Sequence, residues 1–441
     1  MISRRERWSY AAGDLGFNFV WQSIELYLLF YYIRVLGLTP AIAAGIFLAG
    51  AAVDWMIDPV VGAWADRAAP RRPLRHWVLV GGPLSVLMLS LAFEPLPLAP
   101  AWVPVGALIT YLGLRAAYGL GNIPYGALTA RISALPSDHL ALTSARMQGA
   151  AIGGLIAALV YAMLPADAVG AEFRHGAQLL AIFALPAFLV TFVGVRERVQ
   201  PPAPPADAHD RGIWRAALFY AGLLRQSASL RRLIAAIIAS GLSITVVNKS
   251  LLFLFEEIGA PRLGFYVALV PAAALLLTTP LWAMLGARLG QSQTLLLAAL
   301  AQAAATVLAV IAGEVAAVVV LTCVAIVAGC GMSVMFWSLV PVAVADCERY
   351  AANGGCVGRV YALSNIARKL AQAFAPTVVA LTLVGAAGST LAGMCASALA
   401  AVAILVVYRP HDGDQGQAPP TRTLYSGQPT KAALDVKGDW R

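Results

Sequence analysis

Charged residues are scarce in this sequence: only 12% of its 441 residues are Asp, Glu, Lys or Arg. A soluble globular domain carries about 25%, and a chain of this length cannot cover a water-exposed surface with half that share. Hydrophobic residues make up 60% of the chain, which is also far too many for a disordered protein. The composition therefore predicts a polytopic membrane protein that is surrounded by the lipid bilayer.

Cysteine and histidine are few, and neither forms a recognisable chemical motif. There are five of each, and no Cys-x-x-Cys or Cys/His zinc pattern is present. A nucleophile elbow and a phosphate-binding loop are also missing. We therefore expect no metal, no cofactor and no enzymatic activity. The net charge of +9 does not indicate nucleic acid, because the basic residues lie in short loops between apolar runs.

Long apolar stretches predict an all-α protein with twelve membrane-spanning helices, since one span needs about 20 mainly apolar residues. The stretch 370–408 is long enough for two spans, divided at the turn signal 385–389. No small-residue cleavage site follows the basic N-terminus, so span 1 is expected to remain as an anchor. Spans 1 to 12 are predicted at 15–35, 41–64, 76–95, 101–130, 143–165, 175–195, 232–256, 263–286, 292–312, 315–342, 358–384 and 388–408.

The basic residues are concentrated on one side of the predicted membrane. They cluster at the N-terminus, after span 2 and in the loop after span 6, whereas the opposite loops carry few. Because cytoplasmic loops are enriched in Lys and Arg, both termini are predicted to be cytoplasmic, in a cell inner (plasma) membrane.

The central segment 196–230 divides the chain into two halves. It contains a proline-rich run and an amphipathic stretch, and it predicts a cytoplasmic linker with an interfacial helix. The predicted domains are therefore a bundle at 1–195, this linker, a second bundle at 231–408 and a disordered cytoplasmic tail at 409–441.

A short internal repeat supports this division. Pro59 and Arg67, at and just after the end of span 2, have the same spacing as Pro280 and Arg288 at the end of span 8, and spans 4 and 10 share a Gly-x-Gly. Two parallel repeats of six helices are typical of the major facilitator fold. We therefore predict this fold, with twelve transmembrane helices in two six-helix bundles.

Two acids in span 2 are the main candidates for a functional site. Asp54 and Asp58 lie one helical turn apart on the same face. In a low dielectric, two such carboxylates stay ionised only with a cation, a proton or basic partners. The pattern favours a cation-coupling site over a structural salt bridge, because acids inside the membrane are functional in most cases.

Span 1 carries a polar stripe formed by Asn18, Gln22 and Glu25. These residues are interpreted as contacts to a substrate or proton, and the alternative is hydrogen bonding between helices. Asp14, near the predicted start of the span, is interpreted as a possible helix cap. Glu25 is the member of the stripe that most requires a functional explanation.

Other polar residues occur in spans 4, 5, 7 and 11. Arg115, Tyr118 and Asn122 form a stripe, and Arg146 or Lys369 is expected to offset the span 2 acids. Further candidates are less defined. Lys249 has no obvious partner, and Arg368 is expected either to extend to the interface or to point elsewhere. Trp337 and Tyr361 either stack on a sugar ring or pack in the core.

The loop after span 2 is a candidate for gating. Asp66 and Arg67 follow Gly62 in the spacing of a facilitator loop that latches the two halves. The alternative is a solvated turn that carries positive-inside charge.

Several motifs resemble the glycoside–pentoside–hexuronide:cation symporters, a melibiose-permease-like family of the major facilitator superfamily. The most specific is Asp54-x-x-x-Asp58-Pro59-x-x-Gly62. Similar segments are Gly13-Asp14-Leu-Gly-Phe-Asn18, Asn122-Ile-Pro-Tyr-Gly-Ala-Leu128 with Arg146, and the surroundings of Gly358 and Lys369. The resemblance implies a cation site at Asp54 and Asp58, with Lys369 nearby to couple the sites. It also implies sugar contacts from Asn18, Tyr118, Asn122, Arg146 and Trp337.

This chain also departs from the family pattern. Asn18 and Asn122 occupy positions that are aspartates in galactoside-transporting members, so galactoside specificity is not expected. Ile57 and Gly119 replace neutral oxygen ligands that Na⁺ would need, which favours H⁺ as the coupling ion. We therefore predict a monomeric symporter for a sugar or glycoside that works by alternating access. The alternative is transport of a lysolipid or other amphiphile.

Overall fold

The computed structural model describes residues 2–68, 73–95, 97–133, 135–163, 170–199, 222, 224–350, 357–384 and 389–410. Within these ranges the secondary structure is helical, and no strand occurs. The first half contains α1 (Arg4–Gln22), α2 (Pro40–Ala68), α3 (Arg75–Ala92), α4 (Val103–Ile132), α5 (Pro136–Ala162) and α6 (Gly170–Gly194). The second half contains α7 (Ala228–Glu257), α8 (Pro261–Val267), α9 (Val270–Leu289), α10 (Gln291–Ala312), α11 (Val315–Tyr350), α12 (Val357–Val384) and α13 (Thr390–Val407).

The helices follow the twelve predicted spans, with two differences. Span 8 is divided into the short α8 and the longer α9. Span 1 begins earlier than predicted, because Ser3 caps α1 by accepting a hydrogen bond from the Glu6 amide at 3.1 Å. Hydropathy misses these first turns because they carry four charged residues, three arginines and one glutamate, among their first four positions.

Ten of the described helical segments are long and apolar enough to cross a membrane. The segments corresponding to spans 1 and 11 are not among them. Each carries charged side chains in its middle, namely Asp14 and Glu25 in span 1 and Arg368 and Lys369 in span 11. These two segments also contribute to the cavity described below. Asp14, Arg368 and Lys369, which lower the hydropathy of their segments, lie in its wall.

The second half repeats the helix packing of the first. In the first half α1 packs on α5 and α6, α3 packs on α4 and α6, and α2 packs on α4. In the second half α7 packs on α12 and α13, α10 packs on α11 and α13, and α9 packs on α11. This one-to-one correspondence confirms the predicted fold, a pair of six-helix bundles of the major facilitator type.

Span 1 continues beyond α1 as two π-helical segments, Ser23–Leu28 and Tyr31–Val35. Two tyrosines anchor the second segment: the Tyr31 hydroxyl donates to the Phe93 carbonyl at 2.8 Å, and the Tyr32 hydroxyl donates to the Ala107 carbonyl at 3.2 Å. Both side chains are fully buried. These contacts hold the end of span 1 against α3 and α4.

Several predicted features lie outside the described residues. They are most of the linker with its amphipathic helix, the tail from 411 onward and the side chains of Asp66 and Arg67. The proposed gating role of Asp66 and Arg67, and the domain boundaries at 196–230 and 409–441, therefore stay predictions.

The close approach of α3 and α4 depends on Gly81. A Cβ atom at this position would overlap the backbone of Gly121, one residue before Asn122 in the polar stripe of α4. Neither backbone can yield without moving a whole helix, so this contact sets the distance between α3 and α4.

We expect Gly81→Ala to lower stability by about 1–3 kcal/mol, the usual cost of overpacking. The matched control is Gly45→Ala in α2, where no atom lies within 4 Å of an added Cβ. The control should be neutral or slightly stabilising, because alanine is the better helix former. Thermal unfolding in detergent measures both, and equal melting temperatures for the two variants would contradict this packing.

Candidate functional site

A cavity of about 270 Å³ lies where the first half faces α12. Its wall is unusually rich in ionisable groups for the interior of a membrane protein. The charged side chains that line it are Asp14, Asp54, Asp58, Arg115, Arg146, Arg368 and Lys369. Hydrogen-bonding and aromatic groups complete the wall, among them Asn18, Trp21, Tyr118 and Asn122.

Asp54 is held by an arginine of α4. The Arg115 Nε donates to Asp54 Oδ1 at 3.1 Å, and its Nη2 donates to Oδ2 in a second, parallel hydrogen bond. Asp54 is buried, and the guanidinium lies 5.3 Å from the centre of the Trp21 ring. The pair joins α2 to α4 within one half, which matches the structural salt bridge considered from the sequence.

Asp58 pairs with Lys369 of α12 instead. The Lys369 Nζ donates to Asp58 Oδ2, and this contact crosses between the two halves of the protein. Both side chains keep contact with the open space, with 29% of the Asp58 and 26% of the Lys369 side chain exposed. Of the two α2 acids, Asp58 is therefore the more exposed, since only 7% of the Asp54 side chain is exposed.

Arg146 has a different partner from the one expected. It lies 3.3 Å from Asp14, with its guanidinium 5.3 Å from the centre of the Tyr125 ring. The expectation that Arg146 offsets the span 2 acids is therefore not met, whereas the one for Lys369 is. The interpretation of Asp14 as a helix cap is wrong, because α1 starts ten residues earlier and Asp14 is buried in its interior.

A second group of ion pairs joins span 1 of the first half to α7 of the second half. Lys249 of α7 lies 3.3 Å from Glu25 Oε2, and its Nζ donates to the Glu25 carbonyl at 3.0 Å. Nearby, the Arg34 Nε donates to Glu256 at 2.6 Å. Lys249 thus has a partner that the sequence did not reveal, and this partner is the acid that most required an explanation.

Lys249 contacts the π-helical turn at Ser23–Leu28. Its Nζ donates to the carbonyls of Glu25 and Ile24, at 3.0 and 3.5 Å, and lies 4.8 Å from the centre of the Phe47 ring. Lys249 therefore supplies a charge, two hydrogen bonds and a cation–π contact at one point.

The structure brings most of the predicted site residues to one wall. Asp54, Asp58, Asn18, Tyr118, Asn122, Arg146 and Lys369 line the cavity. Gln22 lies against Gly154 of α5, in accord with contacts between helices. Glu25 faces an adjoining pocket of about 30 Å³, which shares Asp54, Arg115 and Lys369 with the cavity. Trp337 packs beside Phe336 in the second half, so neither Glu25 nor Trp337 is part of this wall.

Four charged or aromatic residues of the wall were not among the predicted site residues: Asp14, Trp21, Arg115 and Arg368. Helical spacing was a usable signal for two of them, since Asp14 and Trp21 flank Asn18 at positions i−4 and i+3. Of the two placements considered for Arg368, the structure excludes the interface: the residue lies in the cavity wall, and its Nη1 donates to Gln372 at 3.0 Å.

Two bundles of helices around a charged central cavity, as the described residues form them, are the architecture of the major facilitator fold. Residues 9–409 match the sequence model of the MFS/sugar transport protein family, and the chain belongs to that family. This result confirms the resemblance found in the sequence motifs.

Curated relatives share parts of the chain. The uncharacterized symporter YnaJ of Bacillus subtilis is 35% identical over 37% of this chain and 36% of its own length. The isoprimeverose transporter of Lactiplantibacillus pentosus is 28% identical over 45% of this chain and 43% of its own. The putative glycoside/cation symporter YagG of Escherichia coli is 30% identical over 35% of this chain and 34% of its own length. The matched regions thus span less than half of these relatives.

Solved structures extend the similarity of fold to nearly the whole chain. The crystal structure of a D-xylose-proton symporter superposes with a TM-score of 0.66 and covers 91% of this chain and 96% of its own. Sequence identity is only 15%, so the likeness concerns the fold alone.

The contribution of the Asp54–Arg115 pair to the stability of the fold can be tested by mutation. Replacing one partner leaves a buried charge uncompensated, which costs about 3–5 kcal/mol. We therefore expect Asp54→Asn and Arg115→Gln each to lower the melting temperature strongly, and the double variant to recover much of the loss. Thermal unfolding of the purified protein measures this cycle.

The control for this cycle is Glu256→Gln. Its ion pair with Arg34 is about 40% exposed, and such pairs contribute only about 0–1 kcal/mol. A double variant that melts no higher than the single variants would contradict the conclusion that the buried charges of Asp54 and Arg115 compensate each other.

Proposed function

We propose that the protein is an H⁺-coupled symporter that moves a sugar or glycoside across the inner membrane by alternating access. The observation that carries this proposal is the ion pair between Asp58 and Lys369. It lies in the cavity wall, is accessible from the cavity and joins the two halves of the protein. Protonation of Asp58 would break the pair and release α12 from α2, so that ion binding and movement of the halves are linked.

The surroundings of the span 2 acids favour a proton over sodium. Sodium requires several oxygen ligands, whereas a proton requires one carboxylate. Asp54 and Asp58 are both engaged by basic side chains, and beside Asp58 lie Gly119 and Ile57, which offer no side-chain oxygen. Among the described residues, no group of three or more His, Cys, Asp or Glu is arranged to hold a metal ion.

The remaining wall suits a hydroxylated ligand. Asn18, Asn122 and Tyr118 present amide and hydroxyl groups that can donate to and accept from sugar hydroxyls, and Trp21 offers an aromatic face. Some relatives are named as transporters of isoprimeverose or of glycosides, which is in keeping with such a ligand.

The charged wall also weighs against the alternative of a lysolipid or other amphiphile. Seven ionisable side chains surround a cavity of about 270 Å³, which is a poor environment for an acyl chain. Competition of transport by lysophosphatidylcholine, and by no glycoside, would favour that alternative instead.

The coupling role of Asp58 is tested by transport. A thermal-shift screen of methyl and para-nitrophenyl glycosides, at several pH values and sodium concentrations, first selects a ligand. In energised vesicles, a gradient of one pH unit should then drive about tenfold accumulation of that ligand per coupled proton. We expect Asp58→Asn to abolish this accumulation, because the variant cannot carry the proton.

The matched control is Glu314→Gln, an exposed acid outside the cavity, which should accumulate the ligand normally. Normal accumulation by Asp58→Asn would contradict the proposal. Wild-type uptake that persists after collapse of both the proton and the sodium gradient would do the same, and uptake driven by sodium alone would contradict the choice of proton.

Alternating access further requires that the pair of Arg34 with Glu256 opens during each cycle. We expect a reducible bis-methanethiosulfonate cross-link between Arg34→Cys and Glu256→Cys, in a background without native cysteines, to block transport until reductant is added, since the linker spans the length of the native side chains. The control is the same cross-link between Glu94→Cys and Arg174→Cys, whose native pair at 2.9 Å lies within the first half. Transport that continues with the first cross-link formed would rule out movement between span 1 and α7.

A further inference from the structure

Glu25 is a buried acid that the proposed function does not use, and it lies where span 1 meets α7. Its side chain is only 11% exposed, and it lies 3.3 Å from the Lys249 Nζ, whose side chain is 2% exposed. Because this pair joins the two halves, it opens when span 1 and α7 separate. The Glu25 carboxylate then lacks its counter-charge in a low dielectric, and such a group takes up a proton.

The ionisable groups around Glu25 come from four helices. They are Lys249 on α7, Tyr111 and Arg115 on α4, Asp54 on α2, and Arg368 and Lys369 on α12. Arg115 is already engaged by Asp54 through its Nε and Nη2. Among the described residues the ion pair of Glu25 is with Lys249, so α7 is the element whose movement frees the carboxylate.

The pocket of about 30 Å³ that Glu25 and Lys249 line adjoins the central cavity. Both spaces are lined by Trp21, Asp54, Arg115 and Lys369. One water molecule needs about 10–15 Å³ of such space, so the pocket has room for about two among charged groups. Lys369 also donates to Asp58. Water in the pocket therefore offers a proton a short route between Glu25 and the Asp58–Lys369 pair.

We propose that Glu25 is a second proton-binding residue of this protein and that it passes its proton to Asp58 through this pocket. The inference rests on the proposed function, in which Asp58 is the coupling residue, and adds a site on span 1 to it. In this step the proton leaves the Glu25 carboxyl, crosses the pocket on water and binds the Asp58 carboxylate. Glu25 regains its ion pair with Lys249, Lys369 loses its partner, and the total charge does not change.

The transfer exchanges one contact between the halves for the other. With the proton on Glu25, span 1 is released from α7 while Asp58 and Lys369 hold α2 to α12. With the proton on Asp58, the contacts are reversed. The structure has both pairs formed and therefore corresponds to the protein without this proton. A single proton thus opens the two contacts in turn, which links proton transfer to alternating access.

The test variant combines Glu25→Gln with Lys249→Met. Replacing Glu25 alone would leave Lys249 buried without its partner, which destabilises a protein strongly, whereas the double variant removes both charges and keeps side chains of similar length. The matched control combines Glu94→Gln with Arg174→Gln. It removes an ion pair of the first half that lines neither the pocket nor the cavity.

Two assays in liposomes separate proton transfer from substrate movement. The probe is the methyl or para-nitrophenyl glycoside with the largest thermal shift in the screen described above. Uptake driven by a pH gradient requires delivery of a proton to Asp58 in every cycle. Exchange of labelled for unlabelled glycoside without a gradient requires no net proton movement. Because a positioned acid accelerates proton transfer about 100-fold or more, we expect the double variant to slow driven uptake by about this factor.

Exchange by the double variant, and both activities of the control, should stay close to those of the wild type. The number of protons taken up on binding of the glycoside, measured by calorimetry, should also stay unchanged, because Asp58 is intact. Glu25→Asp keeps an ionisable carboxyl but shortens its reach, so it should slow driven uptake less than the double variant does and leave exchange close to that of the wild type.

Driven uptake by the double variant at the wild-type rate would overturn the inference. Equal losses of driven uptake and exchange, in the double variant or in Glu25→Asp, would also overturn it, because they indicate a purely structural role. The proposed function is judged by a different result. Loss of driven uptake in Asp58→Asn, next to normal driven uptake in the double variant, would support Asp58 as the coupling residue and refute the role of Glu25.

Discussion

Pairing of charges in a low-dielectric interior is the constraint on which this structure depends. Each acid that lines the central cavity is held by a basic residue from another helix: α1 is tied to α5, α2 to α4, and α2 to α12. An unpaired charge there would cost several kcal/mol. The pairs therefore fix how the helices are rotated about their axes, and they bring the polar stripes of the sequence to face one cavity.

The ion pairs divide into two groups by what they join. Asp14–Arg146 and Asp54–Arg115 lie within the first half and can stay closed while the halves move as bodies. The pairs of Asp58 with Lys369, Glu25 with Lys249 and Arg34 with Glu256 bridge the halves. Movement of the halves relative to each other requires that pairs of this second group open. Protonation of the carboxylate in such a pair would remove its charge and allow the pair to open.

Much of this arrangement was accessible from the sequence, because hydropathy and helical spacing are local properties. The spans, the repeat and the faces bearing Asp54 with Asp58 follow from them. The partners follow only in part, because they depend on how distant helices pack: Lys369 was expected beside the span 2 acids, whereas the partners of Arg146 and Lys249 were not. Lys249 contacts Glu25 in a π-helical turn, which helical spacing does not predict, and Trp337 packs against the core of the second half although its type suits a sugar.

The most direct test of the central claim is the number of protons taken up when ligand binds. Calorimetric titration in buffers of different ionisation enthalpy gives this number for the purified protein. With Asp58 as the coupling group, wild type should take up close to one proton per ligand at a pH where the Asp58–Lys369 pair is intact, and Asp58→Asn should take up none. Ligand binding by wild type without net proton uptake at any pH would contradict the account.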